Sequence, residues 1–370
     1  MEFTTSTNLL RDGLQKAVNV IPTKTTFPIL NHVLLTTEDN NLSITATDLE
    51  VSLKTTFPVD VKEPGGIALP GKIINDILRQ MPDVSLVIKQ EENQRVTLKT
   101  DFGEYHISGE NEKEFPTLPE IDVHDRITVD CKTMMRMVEK TSFAVSVGEI
   151  RSSLMGVYLQ FLEDEIRSVG TDGHRLVKIV NQSVKPGKNM GGYIVSKKSL
   201  DLLMRNAEGK ETIDIAFGES YLVLRIGEDT IYSRLLEGIY PDYEKVIPKH
   251  NDKRLLVGRE QLESSLRRIS VFSNKITQQI LFSLSADELV LSTQDSDYGK
   301  EAKETIPAKF VGDPMMIGFN ATYVLDILKH IDAPEVSFNF GGSTAAGLVT
   351  PAEQQENEDI LMLVMPIKLT

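Results

Sequence analysis

The sequence has one cysteine, no tryptophan and no long apolar run. A lone Cys131 excludes an intrachain disulfide and suits a reducing cytoplasm, where it would serve as a small buried apolar side chain. No stretch approaches the roughly 20 apolar residues of a membrane span. Residues 1–7 lack the basic start and apolar run of a secretory signal, so a cytoplasmic location is expected. The histidines (His32, His106, His124, His174, His250 and His330) are scattered, none at metal-ligand spacing from another or from Cys131, and no metal is expected. Also missing are a Gly-x-x-x-x-Gly-Lys phosphate loop, a Gly-x-Ser-x-Gly elbow and a His-Glu-x-x-His pair, so no cofactor is expected either.

What is present describes a globular protein with real cores. The 370 residues are 40% hydrophobic and 25% charged, and that length suits two or three domains. The net charge of -14 and the pI near 5.0 argue against gripping nucleic acid over the whole surface.

Internal repetition is the strongest feature. Residues 33–48, 157–172 and 280–295 each read as an apolar strand, a short polar turn, a second strand and an Asp (Asp48, Asp172, Asp295). Residues 72–79, 199–205 and 322–329 carry apolar positions at helical spacing with charge on the other face, and Leu78, Leu203 and Leu328 mark the same period. A further candidate helix opens each repeat, at residues 8–20, 133–141 and 261–269. Acidic, Pro-containing connectors lie between repeats, at residues 112–119 and 240–248. The fold class is α+β: three repeated domains, at residues 1–125, 126–250 and 251–370, each with two helices and antiparallel sheets.

Two features admit functional readings. In Thr171-Asp172-Gly173-His174-Arg175-Leu176, a hydrolase or transferase would use His174 as a base oriented by Asp172, with Arg175 holding an anion. The competing reading is a strand end with an Asp-Gly turn, repeated structurally at Asp48 and Asp295. The helical segments together carry a charge of about +7, leaving about -21 for the rest. That pattern suits a basic surface shared by helices of every repeat, and equally the ordinary preference of helices for Lys and Arg.

Phe27-Pro28-Ile29-Leu30, Thr47-Asp48-Leu49-Glu50, Thr171 through Leu176, Tyr240-Pro241-Asp242-Tyr243, Gly318-Phe319-Asn320 and Val364-Met365-Pro366 occur in order along the chain. Together they resemble the β subunit family of bacterial DNA polymerase III, the sliding clamps. The resemblance implies a non-catalytic processivity factor. Two copies would form a head-to-tail ring that encircles double-stranded DNA and tethers the replicative DNA polymerase, with the clamp loader and repair and translesion polymerases as further partners. A ring holds DNA by topology, so a mildly basic channel inside an acidic exterior suffices.

The resemblance also assigns residues. Lys24, Lys72, Arg79, Lys132, Arg136, Lys197, Lys198 and Arg205 would face the channel. Tyr105 and Ile107 of one copy would meet Val271 and Phe272 of the other. A partner peptide would sit between apolar walls (Leu154, Leu176, Val246, Val364, Met365, Ile367) over a floor of Thr171, Gly173, Pro241 and Pro366. His174, Arg175, Asn320 and Tyr323 would supply rim groups. The ending Ile367-Lys368-Leu369-Thr370 departs from the family pattern, as does Glu149 near the channel and the longer acidic loop at residues 353–359.

Overall fold

The computed structural model of the chain describes residues 1–148, 151–296 and 298–368; Glu149, Leu369 and Thr370, singled out above, lie outside them. The described chain forms two compact units: residues 1–135 with 198–235, and residues 136–197 with 236–370. Six α-helices are described: α1 Thr7–Val18, α2 Gly71–Gln80, α3 Cys131–Ser142, α4 Lys197–Ala207, α5 Arg259–Ser270 and α6 Ala321–Lys329. They fall where the repeated periodicity places them, two to a repeat. Side-chain caps open α1, α3 and α6: Ser6 Oγ accepts from the Leu9 N–H, the Asp130 carboxylate from the N–H groups of Lys132 and Thr133, and Asn320 Oδ1 from those of Thr322 and Tyr323. Each helix turns an apolar stripe inward, such as Leu10, Leu14 and Ala17 of α1 or Val324, Ile327 and Leu328 of α6. Cys131, at the start of α3, is buried as expected, and burial raises its thiol pKa.

Each unit carries a nine-stranded antiparallel sheet and a smaller one, of five strands in the first unit and four in the second. The expected hairpins are all present: His32–Glu38 with Asn41–Thr47, Gly156–Phe161 with Ile166–Thr171, and Gln279–Ser285 with Glu288–Asp295. Each nine-stranded sheet crosses from one repeat to the next at a single seam. In the first unit Val51–Pro58 pairs with Asp229–Arg234, in register from Val51↔Ser233 to Thr55↔Asp229. In the second unit Arg175–Asn181 pairs with Glu358–Val364, from Arg175↔Val364 to Asn181↔Glu358. Among the strands that end a sheet are Glu104–Ser108 in the five-stranded sheet and Lys300–Pro307 in the four-stranded one, each paired on one side only among the described residues.

Just before each seam the chain turns a corner built by an aspartate. Asp172 Oδ1 accepts from the His174 and Arg175 N–H groups, and Asp48 Oδ1 does the same for Glu50 and Val51. The third expected corner is different. Asp295 is the buried last residue of its strand, paired with Lys300, with Oδ1 accepting from Asn274 Nδ2. The strand there runs on into a longer hairpin with Lys300–Pro307, so Asp295 is no structural counterpart of Asp48 and Asp172.

Candidate functional site

The second unit holds a cavity of about 270 Å³ beside its seam. Leu154, Thr171, Gly173, Arg175, Leu176, Pro241, Val246 and Met365 line it, eight residues gathered from four separate stretches of sequence. The floor is the roof of a core in which Leu154, Leu176 and Leu363 pack with Val169, Tyr240 and Tyr243. Tyr240 stacks on Tyr158 with ring centroids 4.7 Å apart and donates its hydroxyl to the Val169 carbonyl at 3.2 Å. Burial pushes the Tyr240 phenol up, so it stays protonated as a donor. Over this floor Val246 and Met365 are 56% and 43% exposed, a large apolar surface left in water beside a groove.

The corner itself is held from below. Arg175 is nearly buried, and all its guanidinium nitrogens have partners. Nε donates to Asp172 at 3.1 Å, Nη1 to Asp326 on α6 at 2.7 Å, and Nη2 to the Phe143 carbonyl at 3.0 Å. Its guanidinium also lies 4.9 Å from the Tyr323 ring centre. Arg175, expected as a rim group, lines the cavity, and its engaged donors also position the corner. Asn320 likewise caps α6 and donates Nδ2 to the Thr277 carbonyl. His174 remains at the rim, exposed, its ring stacked beside Tyr323 at 6.0 Å.

The chain end is tied across this region. Met365 N–H donates to the His174 carbonyl and Ile367 N–H to the Gly318 carbonyl, each at 2.8 Å. Val364 is fully buried in the seam opposite Arg175 and does not line the cavity; Pro366 and Ile367 are half-buried alongside. Three lining residues escaped the sequence reading: Arg151, Tyr243 and Leu363. Tyr243 stood within a quoted motif, and Leu363 alternates with buried neighbours of an apolar strand, so both were within reach. An exposed loop arginine such as Arg151 leaves no periodic signal.

Among the expected channel cations, Lys24, Lys72, Arg79, Lys132, Lys197 and Arg205 are exposed, and Arg205 donates to Asn19 Oδ1 at 2.8 Å. Arg136 is half-buried and pairs with Asp332 at 2.7 Å and with the buried carboxylate of Glu358 at 2.8 Å, within its own unit. Lys198 is half-buried, bound to Asp48 and to the Val20 carbonyl. Of the expected interface residues, Val271 and Phe272 are 72% and 42% exposed just past α5, and Tyr105 is half-buried on the edge strand. Ile107 on that strand turns into the core.

Three family models match in succession: the N-terminal domain of the DNA polymerase III β subunit over residues 1–119, its central domain over 128–242 and its C-terminal domain over 244–368. The chain belongs to the DNA polymerase III β subunit family. A curated relative named "Beta sliding clamp" from Pseudomonas aeruginosa is 32% identical with both chains fully covered. One from Chlamydia trachomatis is 29% identical, covering all of this chain and 87% of that one. A crystal structure of the P. aeruginosa DNA polymerase III β subunit matches with a TM-score of 0.95 at 31% identity over the whole of both chains.

The sliding clamp family is non-catalytic, and the site geometry agrees. The Asp172 carboxylate faces the backbone N–H groups of its own turn and Arg175 Nε, while the His174 ring lies against Tyr323. A base oriented by Asp172 is therefore not what this corner builds, and the hydrolase or transferase reading falls. Among the described residues no cluster of three His, Cys, Asp or Glu could hold a metal, and no helix is long and apolar enough to cross a membrane.

Proposed function

We propose that two copies of this chain close head-to-tail around double-stranded DNA, and that the cavity beside the second seam takes a short peptide of the replicative polymerase. The observation that carries closure is the arithmetic of seams. Twice, the strand that leaves the corner of one repeat pairs with the last strand of the next. The same rule leaves Lys300–Pro307 without a partner strand on one side and Glu104–Ser108 likewise, in repeats three and one. Two chains satisfy the rule at both of these edges about a two-fold axis. Residues 1–125, 126–250 and 251–370 are then three similar sectors per copy, with Tyr105 near Val271 and Phe272 of the other copy.

The exposed cations on or near the helices, Lys24, Lys72, Arg79, Lys132, Lys197 and Arg205, supply a mild, sequence-independent attraction for phosphates. The peptide reading rests on an apolar, preformed cavity with Val246 and Met365 exposed at its mouth. Methionine at such a mouth tolerates different partners, which suits one site shared by polymerase, clamp loader and repair and translesion polymerases.

The deciding experiment loads the protein on nicked circular DNA and raises the salt. A topological clamp stays bound through a rise that strips electrostatic binders, and leaves when the circle is cut. Equal loss from circular and linear DNA at each salt concentration overturns the proposal.

A further inference from the structure

The corner that shapes the peptide cavity exists twice. At the second seam Thr171 Oγ1 donates to the Arg175 carbonyl and accepts from the Gly173 N–H, and the Asp172 N–H meets the same Arg175 carbonyl. At the first seam Thr47 Oγ1 stands in the same relation to the Val51 carbonyl and the Leu49 N–H, with the Asp48 N–H again on Val51. Across the seam, Met365 N–H donates to the His174 carbonyl at 2.8 Å, and Arg234 N–H donates to the Glu50 carbonyl at 2.8 Å. Behind each corner runs a connector with a buried aromatic followed by proline, Phe115-Pro116 in one and Tyr240-Pro241 in the other. A cavity lies beside the first corner too, about 470 Å³ in volume and lined among others by Thr47, Leu49, Ser52, Pro116 and Tyr221.

The corner backbone is shared and a cavity lies beside each, but the side chains at matching corner positions differ. Gly173 has φ +88, and a Cβ there would meet nothing within 4 Å. Its counterpart Leu49 holds φ 76, a conformation that leucine rarely adopts, and its side chain stands 47% exposed at the mouth. Where Leu176 provides an apolar floor, Ser52 presents a hydroxyl bonded to Thr47 at 2.7 Å. Where His174 and Met365 form the rim, Glu50 and Arg234 face each other at 3.7 Å.

We infer that these exchanges, Leu49 for Gly173, Glu50 for His174, Ser52 for Leu176 and Arg234 for Met365, are what confines peptide docking to the second seam. The first seam is then a silent copy of the same site. It has the architecture but carries a charged rim, a polar floor and a leucine in the entry. This rests on the peptide reading above and adds which residues decide between two equivalent frames.

The test is calorimetric titration of the full chain with a short synthetic peptide rich in leucine and phenylalanine, chosen to match the apolar walls of the cavity. The unaltered chain should bind one equivalent per chain. The variant Leu49→Gly/Glu50→His/Ser52→Leu/Arg234→Met should bind two, with sedimentation unchanged. The reciprocal exchange Gly173→Leu/Leu176→Ser should weaken binding by at least about tenfold. A folded four-residue variant that still binds one equivalent overturns the inference. Should that variant melt early, the reciprocal exchange decides alone, and undiminished binding by it overturns the inference. Two equivalents on the unaltered chain would sink this inference while leaving the peptide reading intact, whereas no binding at all would sink both.

Discussion

Arg175 and Asp326 meet at 2.7 Å, joining the corner beside the cavity to α6, with both side chains largely withdrawn from water. The same guanidinium also holds Asp172 and the Phe143 carbonyl, so one side chain satisfies acceptors on three elements. Removing it takes the guanidinium donor from Asp172 Oδ2, Asp326 Oδ2 and the Phe143 carbonyl in a poorly hydrated place, although Asp172 keeps its backbone donors and Asp326 keeps Lys329. Arg175→Leu should cost about 2–4 kcal/mol in urea unfolding and weaken peptide binding with it. A loss below about 0.5 kcal/mol would mean that solvent replaces the guanidinium easily.

The mouth of the cavity should behave in the opposite way. Val246 and Met365 are exposed in the free chain, so truncating them removes little native packing. Met365→Ala combined with Val246→Ala should leave the melting temperature within a degree or two while reducing peptide affinity about tenfold or more. Deleting residues 365–370 should abolish binding and leave the sedimentation coefficient of the assembly unchanged. Full affinity in either variant would place the peptide elsewhere.

Much of this was readable beforehand, and the reasons differ by element. The helices were legible because α1 through α6 each keep an apolar stripe at helical spacing. The hairpins were legible because turns such as Asp39-Asn40 interrupt alternating strands, and both residues do adopt positive φ. The cavity walls were legible through the family resemblance and not through pattern: Leu176 looks like any core leucine until Pro241 and Met365 stand beside it. What could not be read was the pairing of charges. Arg136 lies on a helix with its charge apparently outward, but Asp332 and Glu358 reach it from far along the chain. Asp295 shares the spacing of Asp48 and Asp172, yet it is the last residue of its strand, whereas theirs end one residue earlier, at Thr47 and Thr171. Periodicity reports which face is buried, and long-range ion pairs leave no periodicity.

Two acid-sensitive groups lie in the second unit, at the end of α6. Burial against Phe143, whose ring stacks on His330 at 3.8 Å, lowers the pKa of His330, opposed by its hydrogen bond to the Asp326 carbonyl. Because the unfolded chain binds that proton more readily, the contribution of His330 is complete above its unfolded pKa, about 6.5, and declines as the pH falls below it. Burial alone would raise Asp332, but hydrogen bonds from Lys140 and Arg136 outweigh it and hold the carboxyl low. Its contribution is present above the unfolded value near 3.9 and is lost as the pH drops through the lower folded one. Unfolding free energy measured from pH 7.5 to 3 should therefore fall in two stages. His330→Gln should flatten the first and Asp332→Asn the second; a curve unchanged by both would remove these groups from the acid response.

The open strand edges give the last expectation. Lys300–Pro307 carries alternating charges, a common device for keeping an unpaired edge from indiscriminate association. Glu104–Ser108 turns Ile107 inward and leaves Tyr105 half-covered, while Val271 and Phe272 stand out past α5. Ile107 is thus a poor site to perturb assembly, because changing it would damage its own sheet. Tyr105→Arg with Phe272→Arg places cations on surfaces that tolerate them in the single chain but repel across a shared seam. In sedimentation velocity the double variant should run as a monomer with its melting profile largely kept, while the unaltered chain runs as a dimer. Unchanged dimer mass in the double variant would mean that these residues do not face each other, and that closure uses another surface.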